Sequence, residues 1–200
     1  MVQTKTKVEN NRKADYPIDP LFINRWSPRA FLEKEVPEEV LLSVFEAARW
    51  APSGFNNQPW RFILARTKEN LELFHSFILP GNLSWCKTAP ALALIVSETE
   101  TEQGPNPYHE FDAGTASGYL EIQAAKQGLS THVMGGIDRE KAREVLQIPE
   151  KFAIHSVIVI GYLGEKDTLP ENLQEREQPN SRRPLNEILF EGKFNQTLIK

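Results

Sequence analysis

Residues 91–96 and 157–160 are apolar without interruption. Runs of that length predict strands covered on both faces. Elsewhere the period changes. Between residues 36 and 50, Val40, Leu41, Val44, Phe45 and Ala48 recur at helical spacing. Pro37 suits the first turn of that helix, and Glu38 and Glu39 suit the positive end of its dipole. The pattern also predicts strands over 61–65, 129–134 and 154–162, and helices over 20–24, 68–77 and 108–127. One more helix runs from an Asp138 cap to residue 146. Pro80-Gly81-Asn82 reads as a turn, and residues 97–107 and 164–180 read as polar loops. The middle of the 108–127 helix is Ala113-Gly114-Thr115-Ala116-Ser117-Gly118. Interior glycine costs ~1 kcal/mol against alanine. Two of them predict a close packing seam, within the fold or between subunits.

These elements fit one domain over residues 16–200, preceded by a polar, mixed-charge and flexible arm over 1–15. A chain of 200 residues buries a core without covalent staples. The formal net charge of −4 speaks against an unspecific nucleic-acid binder. No run approaches the ~18 apolar residues of a membrane span. Met1 to Lys13 has no apolar signal region, and the single cysteine, Cys86, excludes an intrachain disulfide. The expectation is a cytoplasmic protein without nucleic-acid or membrane partners.

Three constellations carry candidate chemistry. Arg25, Ser27 and Arg29 alternate, so an extended segment places them on one face. Two guanidiniums and a hydroxyl there suit a phosphate; the plainer reading is a solvated basic edge beside Glu33 and Glu35. Flanking Trp26 and Phe31 are anchors for a packed site. The stretch Ala51-Pro52-Ser53-Gly54-Phe55-Asn56-Asn57-Gln58-Pro59-Trp60 is stiffened by two prolines and rich in hydrogen-bonding groups. It reads equally as a helix-to-strand turn. Gly135-Gly136 lies between a strand and a helix, where bare backbone lets a flat ligand approach; a tight turn is the alternative. Arg182 and Arg183 form a second basic cluster ahead of an apolar tail with Leu185, Ile188, Leu189, Phe190, Phe194, Leu198 and Ile199. Such a tail calls for a surface to pack on, and a second subunit is the natural one. His75, His109, His132 and His155 show no metal-ligand spacing, so no metal is expected, and Cys86 reads as a small buried residue.

Taken in order, these pieces resemble the nitroreductase family. The chain has Arg-x-Ser-x-Arg, Ala-Ala-Arg-Trp-Ala-Pro-Ser, Asn-x-Gln-Pro-Trp, Ala-Pro opening a strand, strand-Gly-Gly, and Arg-Arg-Pro-Leu before the tail. The resemblance implies an α+β fold with a mainly antiparallel central sheet flanked by helices. It implies a homodimer with domain-swapped C-terminal arms and FMN bound between the subunits. Arg25, Trp26, Ser27, Arg29, Gly135 and Gly136 would then hold FMN, joined at the phosphate by Arg182 or Arg183. Asn82 would reach its pyrimidine side. Pro52, Ser53, Gly54 and Asn56 would come from the other subunit. Phe55, Tyr108, His109 and Phe111 would line the substrate face. NAD(P)H would reduce the flavin, and a nitroaromatic, quinone or similar acceptor would reoxidise it in a ping-pong cycle. The chemistry would sit at flavin N5 and need no catalytic side chain. The alternative functions are a flavin-binding storage or regulatory protein of the same fold, and a non-redox relative that has lost FMN.

Overall fold

The two uninterrupted apolar runs form the middle of the sheet. The computed structural model describes residues 10–198. Residues 1–9 of the expected arm, and Ile199 and Lys200 of the tail, lie outside the described residues. The elements in chain order are α1 (Pro20–Asn24), α2 (Glu38–Arg49), β1 (Trp60–Ala65), α3 (Lys68–His75), α4 (Pro80–Cys86) and β2 (Ala91–Glu98). They continue with β3 (Glu100–Thr101), β4 (Gly104–Pro105), α5 (His109–Lys126), β5 (Ser130–Met134), α6 (Arg139–Leu146), β6 (Phe152–Gly161) and α7 (Glu171–Gln174).

The main sheet has the order β1-β2-β6-β5, and each neighbouring pair is antiparallel. Successive side chains of a strand point to opposite faces. On β2, Leu92, Leu94 and Val96 therefore enter one core with Phe74, Phe77, Trp85 and Ala142. Ala91, Ala93 and Ile95 enter the other with Leu41, Val44, Ala116 and Leu120. The result is an α+β sandwich: α3, α4 and α6 pack on one face, α2 and α5 on the other. No helix among the described residues is long and apolar enough to cross a membrane.

Two sequence expectations change. Pro80-Gly81-Asn82 opens α4 rather than making a turn; Pro80 takes the first-turn position, where its fixed φ fits and its missing N–H costs nothing. The glycine-rich seam of α5 is also split. Ala113, Ala116, Leu120 and Ala124 are buried toward the sheet. Gly114 and Gly118 face outward, and a Cβ added to either would meet nothing within 4 Å. The loop at 97–107 holds the small β3–β4 hairpin, and the loop at 164–180 holds α7.

Residues 30–32 run antiparallel to the exit of β6. Phe31 bridges Leu163, Gly164 N–H donates to Ala30 O (2.9 Å), and Leu32 N–H donates to Tyr162 O (3.0 Å). This join fixes the end of the Arg25–Arg29 segment against the sheet.

Candidate functional site

The Arg-x-Ser-x-Arg segment is extended and alternates as expected. Trp26, Pro28 and Ala30 are buried, while Arg25, Ser27 and Arg29 are half-buried on the opposite side. Trp26 and Phe31 are the anchors. The segment lies along edge strand β5, where His132 Nδ1 donates to Pro28 O (2.8 Å). Burial pushes the His132 pKa down, and the ring packs on Trp85 with centroids 4.6 Å apart. The same strand then ends in Gly135-Gly136, which puts the glycine pair and the arginine face on one side of the fold.

The arginines are not solvated edges. Arg25 Nη1 lies 3.1 Å from Glu121 Oε2, to which Thr131 also donates (3.2 Å). Arg29 is set by Glu177, whose Oε1 accepts from Arg29 N–H (2.7 Å) and Ala30 N–H (2.9 Å). Glu177 Oε2 is buried without a hydrogen-bond partner, 3.9 Å from the Arg29 guanidinium. Sequence reading missed Glu177, because nothing in a polar loop marks one glutamate out of several as buried.

The glycine pair is held by its carbonyls. Gly135 O accepts from Ile137 N–H (2.9 Å), and Gly136 O accepts from Leu79 N–H (3.1 Å) and Asn82 Nδ2 (3.3 Å). A trans peptide sends the Gly136 N–H the opposite way from Gly135 O. A Cβ on Gly136 would lie 2.5 Å from Asn82 Nδ2, whereas one on Gly135 would meet nothing within 4 Å. Gly135 therefore presents bare backbone to open space.

The 52–60 loop is built on the other end of α5. Buried Asp112 accepts from Gly54 N–H (3.1 Å), and Ser53 Oγ accepts from Gln58 N–H (3.0 Å). Phe55, Asn56 and Gln58 take positive φ, at 53°, 60° and 46°. Phe55 is 89% exposed and leans on Tyr108 with centroids 6.4 Å apart. Pro52 and Phe111 are exposed as well. His109 turns inward instead: Ser97 Oγ sits between His109 Nδ1 (2.7 Å) and His155 Nε2 (2.6 Å). Burial lowers the His155 pKa.

The expected site residues thus form two groups. Arg25, Trp26, Ser27, Arg29, Asn82, Gly135 and Gly136 gather at β5. Pro52 to Asn56, Tyr108, His109 and Phe111 gather at the start of α5. Asp112 carries the second group and Glu121 the first, about 14 Å apart along the helix at ~1.5 Å per residue. Within one chain the loop and the arginine face are therefore anchored nine residues apart on α5. Arg182 and Arg183 are exposed on the segment leading to the tail.

Cys86 closes α4 within the core. It is buried, and burial pushes its thiol up to about 12. A thiol reagent should leave native protein unlabelled and label one equivalent after denaturation; rapid labelling of folded protein would contradict the burial.

The pattern of the Nitroreductase family matches residues 23–82 and 72–162. A relative from Methanothermobacter thermautotrophicus, provisionally named an NADH dehydrogenase/NAD(P)H nitroreductase, is 32% identical over 146 residues, covering 70% of this chain and 74% of its own. A crystal structure of an oxidoreductase containing FMN is 43% identical and superposes with a TM-score of 0.89, covering 94% of this chain and 98% of its own. An FMN-dependent nitroreductase from Clostridium difficile R20291 is 28% identical, with a TM-score of 0.60 over 71% of this chain and 85% of its own. The matched stretch takes in the arginine segment, the proline-rich loop and the glycine pair, and the chain belongs to the nitroreductase family of oxidoreductases.

Proposed function

We propose that the protein is an FMN-dependent oxidoreductase that passes electrons from NAD(P)H to a nitroaromatic, quinone or similar small acceptor, and that it works as a homodimer. The observation that carries this reading is the half-buried Arg25, Ser27 and Arg29 face beside the bare backbone of Gly135. The donor set suits a flavin mononucleotide: guanidiniums and a hydroxyl for the phosphate and ribityl chain, and backbone amides for the ring. Bound FMN supplies hydride acceptance and electron release, so reductant and acceptor use one pocket in turn, a ping-pong cycle.

The chain's own groups bind and orient. Arg25 and Ser27 hold the phosphate and ribityl end, with an arginine of the 182–183 pair beside them. The Arg29 cation, fixed through its backbone by Glu177, stabilises negative charge at the ring's polar edge. The Gly136 N–H, turned away from the Gly135 carbonyl, would be available as a donor to the ring. Pro52, Ser53, Gly54 and Asn56 reach the partner's site, and Phe55, Tyr108 and Phe111 form an apolar wall there. Two features support the dimer. Phe111, Gly114 and Tyr119 leave an unburied face on α5. In the tail, Ile188, Leu189, Phe194 and Leu198 are exposed.

The test is to purify the protein, identify any flavin by mass and titrate it anaerobically with NADH and NADPH, then with an acceptor panel. Yellow protein bleached by a nicotinamide and recoloured by an acceptor is expected. Colourless, flavin-free protein overturns the reading, and yellow protein that no nicotinamide bleaches leaves a flavin-binding protein without turnover. Arg25→Ala should weaken FMN binding by roughly 10- to 100-fold, since charge-assisted hydrogen bonds contribute ~1.5–3 kcal/mol. Unchanged affinity by fluorescence titration would contradict the phosphate assignment.

A further inference from the structure

Arg12 falls in the stretch read from sequence as a loose polar arm, and it lies outside the residues matched by the family pattern. In the fold it is held at three points. Its Nε donates to Asn180 O (2.6 Å), and its Nη1 donates to Ile23 O (3.1 Å) and Arg25 O (2.8 Å). One side chain thereby ties together the N-terminal segment, the exit of α1 and the stretch that leads into Arg182 and Arg183. Asn10 adds a second tie to the same exit, donating through Nδ2 to Ile23 O (2.9 Å) and Asn24 Oδ1 (3.1 Å).

The acceptors are main-chain carbonyls, so these contacts leave the Arg12 charge unneutralised. Burial lowers the Arg12 pKa, and the nearby Arg182 and Arg25 cations lower it further. Arg12, Arg182 and Arg183 also line one cavity of about 540 Å³, with Lys13 and the acidic Asp15 at the same wall. Arg25, which does not line that cavity, has a carboxylate, Glu121, at 3.1 Å. Guanidiniums drawn together in this way repel one another, and an anion of more than one charge would relieve the repulsion.

We propose that Arg12 is a positioning residue for the phosphate end of the cofactor site, clamping the Arg25 backbone and the Asn180–Arg183 stretch at a fixed separation so that cations from both ends of the chain meet one phosphate. The proposal rests on the FMN reading above. It assigns the clamp to residue 12 and ties it to Asn180, 168 positions further on and just ahead of the basic pair.

Riboflavin lacks only the phosphate of FMN, and a comparison of the two isolates that end. Affinities of both flavins would be measured by fluorescence quenching for the flavin-stripped wild type, Arg12→Ala and Arg12→Lys, with circular dichroism and melting to verify folding. Arg12→Ala is expected to weaken FMN by about tenfold or more, the order expected when charge-assisted contacts are loosened, and riboflavin by less than about threefold. Arg12→Lys keeps the charge but lacks the planar fork that spans separate carbonyls, so it should resemble Arg12→Ala. Equal loss of both flavins means a merely structural role and overturns the proposal. Wild-type affinity in Arg12→Lys means that charge alone matters and overturns the clamp. An unchanged FMN to riboflavin ratio in both variants overturns it while leaving the FMN reading intact. A wild type that binds neither flavin overturns that reading, and this inference with it.

Discussion

Gly164→Ala should lower stability by about 2–5 kcal/mol and move the urea midpoint down by about 1–2 M. Gly164 is buried where the chain leaves β6 and pairs with residues 30–32. A Cβ there would lie 2.9 Å from Phe31 C, 3.1 Å from Phe31 N and 3.2 Å from Ala30 C. All three are main-chain atoms, so no rotamer change relieves the contact; the strands must separate. Separation weakens the two bonds that join them, Gly164 N–H to Ala30 O and Leu32 N–H to Tyr162 O. It also moves the stretch that ends in Arg29, so flavin retention should fall with stability. Gly81→Ala is the control, because a Cβ there meets nothing within 4 Å. A Gly164→Ala variant as stable as that control would show that the close approach is not required.

Glu177→Ala should cost about 2–4 kcal/mol, more than most single substitutions. The carboxylate is buried, and one oxygen accepts both the Arg29 and Ala30 N–H groups. Alanine leaves two buried donors without an acceptor, at about 1–3 kcal/mol each. Glu177→Gln keeps a carbonyl oxygen for the same donors and should cost less than half as much. The pair separates hydrogen bonding from charge, because glutamine also removes the negative charge 3.9 Å from the Arg29 guanidinium. Urea denaturation of both variants measures the difference. Equal costs for alanine and glutamine would mean that the two N–H bonds are not what Glu177 contributes.

Much of the fold was legible because burial leaves a period. The apolar runs of β2 and β6, the heptad-like spacing of α2 and the alternation from Arg25 to Arg29 all reappear in the structure. Asp138 caps α6 as read, accepting from Lys141 N–H. Pro80 was misread because proline serves both turns and the first turn of helices, and only the burial of Trp85 and Cys86 decides between them. The site was half legible. Its arginines, serine and glycines are visible as local patterns, whereas the residues that aim them are not. Arg12, Asp112 and Glu177 act on partners 168, 58 and 148 positions away in sequence. An isolated polar residue meeting a distant backbone group leaves no period to read.

Phe55 has a consequence for the energy landscape of the chain. A bulky side chain in the left-handed region costs roughly 1–2 kcal/mol, and at 89% exposure it gains little packing in return. The isolated chain is therefore frustrated at this position. Glycine or asparagine there would suit the backbone better and make the lone chain more robust, while removing the aromatic ring it displays. Substitutions at residue 55 ranked by thermal tolerance and by the strength of association with flavin or partner should then run in opposite orders, as expected where a local conflict is kept for a contact made outside the chain.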